Sequence, residues 1–175
     1  MKTMTDRIPV LDTPRLTLRA PALRDLGALT AFYATERSHF VGGPLDVNGA
    51  FSQLTGRIGH WALKGFGLWH IEDRETGAFV GWTGLIDPPG WAEPELAWTV
   101  LSEGEGKGFA QEAATAARAH AATHLGHDRP ISYIRPDNDR SMALASRLGA
   151  TVEDTCDWRG KPVHIYRHPT AKGAA

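Results

Sequence analysis

Apolar and polar residues alternate with period two along "RLTLRAP" (Arg15 to Pro21), which predicts a β-strand ended by its proline. The period then changes. "ALRDLGALTAFYA" places Leu23, Leu26, Leu29 and Phe32 at helical spacing. After the loop "VGGPLD", a second helix is predicted from Asn48 to Leu63, capped by Asn48, with Phe51, Leu54, Ile58 and Trp61 on one face. "GLWHIEDRETGAFVGWTGLI" reads as two strands joined by the turn-rich "DRETGA", and "PELAWTVL" as another strand beyond the "DPPG" loop. A helix is predicted from Gly108 to His124, then a short strand at "PISYIRP" and a helix at "NDRSMALASRLGA" stopped by Gly149. "TVEDTCDW" and "PVHIYRH" pair as final strands around "RGK". Seven strands interleaved with four helices, without an internal repeat, predict one mixed α/β domain.

Composition narrows the functional classes. A chain of 175 residues, 42% hydrophobic and 22% charged, has the balance of one ordinary globular domain. Its net charge of −1 supplies no global attraction to nucleic acid or anionic lipid, so neither is an expected partner and any polyanion site is local. One cysteine, Cys156, excludes an internal disulfide framework and a multi-thiolate zinc site. No run reaches the ~18 apolar residues of a membrane span, and the opening residues lack a signal-peptide core. The cytoplasm is the expected location. Residues 1–12 are expected to form an N-terminal extension, 13–168 the domain and 169–175 a flexible tail.

The chemistry starts at "EGEGKGFAQEAA" (Glu103 to Ala114), where three glycines alternate with charged residues and run straight into a helical pattern. Main-chain N–H groups at such a helix start hold phosphate well, because the dipole adds about half a positive charge there. A dinucleotide fingerprint fails, since its third small residue falls on Phe109 or Gln111. A nucleoside-triphosphate loop fails too, with Leu101 and Gly108 at its diagnostic places. "EGKGFA" instead resembles the Q/R-x-x-G-x-G/A signature of the GNAT N-acetyltransferases, with Gly108 and Ala110 matching and Glu105 departing from the usual Gln or Arg. "AEPELAWTVL" resembles the strand ahead of that loop. "PDNDRSMALASRLGA" resembles the N-x-x-S helix of the RimJ/RimL-like branch, related to ribosomal-protein N-terminal acetyltransferases, and "DTPRLTLRAP" resembles that branch's first strand. The matches run in order from Thr13 to Tyr166.

The resemblance implies a single GNAT-type domain: a mostly antiparallel sheet of six to seven strands, splayed between the family's fourth and fifth strands, with helices on both faces. It implies transfer of acetyl from acetyl-CoA, as co-substrate and without a metal, to a primary amine by direct attack in a ternary complex. The amine is a protein N-terminus or a small molecule. A non-catalytic acyl-CoA sensor of the same fold is the alternative. The resemblance places the pantetheine arm against the backbone of Trp98, Thr99 and Val100. The pyrophosphate falls over Gly106, Lys107, Gly108, Phe109, Ala110 and Gln111, with Asn138 and Ser141 beside the arm. Homodimerisation is also a habit of this family.

A base is needed to strip the amine, and the resemblance makes Glu95 the candidate, since it lies in the strand where some GNAT families carry a base glutamate. Period-two alternation puts it on one strand face with Ala97 and Thr99, with Leu96, Trp98 and Val100 on the other. Burial beside tryptophans is expected to raise its pKa; the plain alternative is a surface or salt-bridged glutamate. A main-chain N–H near Val100 is the expected carbonyl donor. The tyrosine that many relatives use as acid is replaced by Ala145; Ser141 is a candidate at the sulfur, though it also suits a helix start. The charges from Arg135 to Arg140 read as a solvated rim, from which Arg140 could reach a CoA phosphate. Trp91, His39 and Phe40 are candidate acceptor walls, while Cys156 reads as an inert strand residue. His120, His124 and His127 share a helical spacing but suit a helix C-terminus better than a metal.

Overall fold

The period-two stretches become the strands of one open sheet in the computed structural model, which describes residues 3–158 and 160–171. Arg159 of the "RGK" turn and residues 172–175 of the expected tail lie outside the described residues. The strands are β1 (Leu11–Asp12), β2 (Leu16–Arg19), β3 (Leu68–Asp73), β4 (Phe79–Ile86), β5 (Glu95–Val100), β6 (Ile131–Ile134), β7 (Thr151–Trp158) and β8 (Lys161–Arg167). They run in the order β1-β2-β3-β4-β5-β6-β8-β7. The sheet has eight strands rather than six or seven, because β1 is too short for its two residues to show a period. Its pairing is antiparallel except between β5 and β6, which are parallel and share the single register position Glu95–Ile131.

Helices cover both faces. On one, α1 (Leu26–Tyr33) and α2 (Val47–Lys64) bury Leu29, Phe32, Tyr33 and Leu54 against Trp82 and Leu101. On the other, α3 (Phe109–His124) lays Ala113, Ala117 and Ala121 over Leu16, Leu18, Ile71, Leu85 and Leu96. Alanines at four-residue spacing let the helix axis approach the sheet closely. The last helix, α4 (Asp139–Arg147), packs on α3 and β6.

Two predicted helices need correction. The first opens with a separate 3-10 turn, Leu23–Asp25, leaving Leu23 69% exposed. Asp25 turns inward there, bonding Arg19 at 2.7 Å and His70 at 2.6 Å. The second is capped by Asp46, whose Oδ1 accepts the Gly49 N–H at 2.8 Å, and not by Asn48. Its buried residues are Ala50, Leu54, Arg57 and Trp61, while Phe51 is 47% exposed. Arg57 accounts for the rotated face. Its guanidinium lies 3.8 Å from the Trp82 ring centre and bonds His70 and Tyr33, so the helix turns a cation inward and an aromatic outward.

Candidate active site in the split between β5 and β6

The site is a place where a ladder stops. Successive peptide units of β5 point to opposite neighbours. The groups of Ala97 and Leu101 serve β4, where Thr83 Oγ1 donates to Ala97 O and Leu101 N–H donates to Val80 O. Those of Leu96, Trp98 and Val100 therefore face β6. Beyond Glu95–Ile131, a regular parallel ladder continues with the Tyr133 N–H donating to the Leu96 carbonyl. That bond is missing, and each group is satisfied by a side chain instead. Ser132 Oγ donates to Leu96 O at 2.6 Å, and Glu95 Oε1 accepts the Tyr133 N–H at 3.0 Å. The strands part from there, leaving Trp98 and Val100 with backbone groups turned toward the gap.

Glu95 is buried at the apex of this gap, and its other oxygen accepts the Trp91 indole N–H at 2.7 Å. Burial raises its pKa from 4.5 to about 7, partly offset by the bonds from Trp91 and the Tyr133 N–H. The predicted alternation agrees with the register, in which Thr99 lies across from Trp82 on the α1–α2 face. Trp98 points the other way and packs against two buried clusters that include Ala114 of α3 and Leu144 and Ala145 of α4. It is the wedge that seats both helices beside the gap.

The glycine loop follows directly. Gly104 is required by space, since a Cβ there would lie 2.7 Å from Val100 Cγ1. Gly106 and Gly108 adopt φ of +72° and +76°, and Gly108 caps α3 without a side-chain bond to the first-turn amides. Glu112, the acid of that first turn, is drawn away by Thr13 at 2.6 Å and Arg15 at 2.7 Å. The amides of Phe109, Ala110 and Gln111 are thus left without a helix-capping acceptor, and nothing crowds the space above Gly106. This fits a diphosphate. Phe109 contributes only backbone to such a site, because its ring is buried beneath Arg15 at 5.0 Å. Lys107 is exposed, with its ammonium 5.5 Å from the same ring centre. At the start of α4, Asn138 Oδ1 caps the helix by accepting the Ser141 N–H at 3.2 Å.

Several groups escape a sequence reading. Glu105 Oε1 accepts from both Arg37, in the turn between α1 and α2, and Arg140, in the first turn of α4. Phe40, from the same turn as Arg37, lies 5.2 Å from the Arg135 guanidinium and tilts against His39. Trp91 packs edge-on against Trp158 at 4.2 Å and Tyr133 at 5.6 Å, forming an aromatic cluster over Glu95. Ser132 is a lone polar residue in a short strand, with no motif to mark it. Cys156 is half-buried on β7. His120 and His124 stack at 4.3 Å while His127 turns to Phe66, and no metal-holding group of three occurs among the described residues.

The strand split, the glycine loop and the uncapped start of α3 follow one another along the chain from β5. The model of the acetyltransferase (GNAT) domain family matches residues 15–151. The chain belongs to the GNAT acetyltransferase family. An acetyltransferase from Agrobacterium tumefaciens is 35% identical, with 93% of this chain and 95% of that one covered at a TM-score of 0.84. RimL, a ribosomal L7/L12 alpha-N-protein acetyltransferase solved with coenzyme A, shares the fold at 18% identity and a TM-score of 0.72, with 93% and 99% covered. The uncharacterized protein YkkB of Bacillus subtilis (strain 168) is 29% identical over 107 residues. That match spans 59% of this chain and 62% of the length of YkkB. The chemistry of this acetyltransferase is that of its family, transfer of acetyl from acetyl-CoA to an amine. No helix among the described residues is long and apolar enough to cross a membrane.

Proposed function

We propose that this GNAT acetyltransferase acetylates a primary amine, a protein N-terminus or a small-molecule amine, with Glu95 as the base. The observation that carries the reading is a buried carboxyl with a pKa near 7 at the apex of a strand split. A base so poised takes a proton from the ammonium near neutral pH and does not hold it too tightly. The fold shared with RimL supports an N-terminal amine.

The residues present fit acetyl-CoA. The amides from Gly106 to Gln111 would hold its pyrophosphate, with Lys107 adding charge. The backbone groups of Trp98 and Val100 would pair with the pantetheine arm; Thr99 lines the strand but turns its peptide groups to β4. Asn138 caps α4 through Oδ1 and keeps its amide N–H groups for the arm. Glu95 accepts the amine proton, directly or through water. The neutral amine then forms the C–N bond as the C–S bond breaks, with a β5 N–H polarising the carbonyl. The new C–N bond leaves one surplus proton on the nitrogen, and it balances the one the departing thiolate takes, passed through solvent or through Ser141, whose hydroxyl makes no hydrogen bond among the described residues. Trp91, bonded to Glu95, is a wall of the acceptor pocket, with His39 and Phe40 on its rim.

Acetyl-CoA or CoA at about a hundred times its Kd should raise Tm by roughly 5–10 °C, and NAD or ATP should not. Glu95→Gln keeps an oxygen for the Tyr133 N–H but no base. It should lower kcat/KM on a responsive amine by about 100-fold, leave CoA affinity near wild type and abolish the inflection near pH 7. Unchanged pH dependence would remove Glu95 as the base.

A further inference from the structure

We infer that Ser132 is a positioning residue that keeps the cofactor slot open, by occupying the carbonyl on which β5 and β6 would otherwise zip together. Ser132 is 1% exposed and has a single hydroxyl proton, which goes to Leu96 O at 2.6 Å. His168, fully buried, places Nε2 2.9 Å from the same hydroxyl oxygen. With the serine proton committed, His168 must be the donor in that second bond. This fixes the Nε2–H tautomer and leaves Nδ1 as an acceptor facing Arg118 Nη1 at 3.5 Å. The histidine is itself fixed, since its own N–H donates to Pro130 O at 3.0 Å. Arg118 Nη1 also donates to the carbonyl of Leu148 at the end of α4, at 2.8 Å. A buried line of donors therefore runs from α3 through His168 and Ser132 to the last paired carbonyl of β5.

The alternative to this arrangement is local and cheap. Without the hydroxyl, Leu96 O is a buried acceptor lacking a partner, and the Tyr133 N–H belongs opposite it in a continued parallel ladder. Making that bond advances the strand pairing one step and draws Tyr133 O toward the Trp98 N–H, the next ladder pair. The Trp98 N–H would then be lost to the pantetheine arm. Glu95 holds the other half of the latch through the Tyr133 N–H, but it belongs to the reaction. Ser132 does not. The Trp98 ring meets His168 edge-on at 6.0 Å, so the same line also braces the floor of the slot.

The inference rests on the split being the acetyl-CoA slot, and the wild-type protein checks that first: failure to bind CoA removes the slot reading itself. Given wild-type binding, Ser132→Ala should raise KM for acetyl-CoA and Kd for CoA by about tenfold, with kcat at saturation within about threefold. Ser132→Cys keeps the shape with a weaker donor and should weaken CoA binding about threefold against wild type, a comparison that stands even where the alanine variant does not fold. Hydrogen exchange at the Tyr133 amide gives an independent readout, with slower exchange in the variants as it enters a ladder bond. Variants that fold but bind CoA as tightly as wild type overturn the proposal, as does a loss confined to kcat.

Discussion

Glu105 stands where the family's loop signature carries glutamine or arginine, so an anion sits beside the amides that would hold a diphosphate. Its partners make that placement intelligible. Arg37 reaches it from the turn between α1 and α2, and Arg140 from α4, so two cations from opposite banks of the cleft meet on one carboxylate oxygen. Arg140 is 79% exposed and free to re-aim. The carboxylate is then a competitor for guanidinium groups that suit phosphate equally well. Glu105→Gln removes both the competition and the repulsion of a bound diphosphate. It should tighten CoA binding roughly three- to tenfold, the scale of one exposed ion pair, with Tm within a few degrees of wild type. Calorimetric titration against CoA and against acetyl-pantetheine, which lacks the diphosphate, provides the check. Weaker CoA binding, or equal gains for both ligands, would count against this role.

At the scale of elements, the sheet face under α1 and α2 is tied by charge as well as by apolar contact. Asp25 joins Arg19, His70 and, through His70, Arg57, which in turn reaches Tyr33 and Trp82. Burial alone would raise the Asp25 pKa, but Arg19 and His70 hold the carboxyl well below the usual range. Asp25→Ala removes the carboxylate shared by Arg19, His70 and the Ala22 N–H, leaving Arg19 only Glu72 as a charged partner and the buried His70 Nδ1 without one. It should cost about 3 kcal/mol in urea unfolding, several times the cost of Glu75→Ala on the exposed β3–β4 turn. The sequence hid this network because its members recur at no fixed spacing and come from the pre-α1 turn, α1, α2, β2, β3 and β4. Helical periodicity ranks Phe51 above Arg57 for the core, and only the neighbouring Trp82 and His70 reverse that order. The glycine loop and α3 were legible for the opposite reason. Their conformation is local, set by left-handed glycines and an alanine stripe that carry the same meaning in any fold. Glu95 was legible as a candidate from its strand position. Its bonds to Trp91 and Tyr133 were not, since they depend on where β4–β5 and β6 meet. Ser132 had no local signal, because its role exists only against a strand 36 residues away.

For the whole molecule, three buried groups set how stability follows pH, and they do not pull the same way. His70 falls from 6.5 to about 4, chiefly through burial, with the nearby Arg57 and Arg19 charges lowering it further and Asp25 opposing. His168 falls to about 4 by burial and by Arg118 and Arg167. In the window from pH 6.5 down to 4 the unfolded chain binds protons at these sites that the folded chain refuses, so stability is lost as pH falls. Glu95 acts in reverse. Its folded pKa of about 7 lies above the ordinary 4.5, so the folded chain keeps a proton the unfolded chain releases, and stability is lost as pH rises through that window. Glu95 therefore offsets part of what the two histidines contribute over the range the three groups share. Glu95→Gln removes the offset. A constant penalty for the bond that the amide cannot make with Trp91 cancels when the two proteins are compared across pH. Relative to wild type, the variant should gain on the order of 2 kcal/mol between pH 5 and pH 8, read from urea midpoints. A difference that stays flat across that range would mean that Glu95 ionises as an ordinary carboxyl. The inflection near pH 7 expected of the enzyme would then have to come from another group.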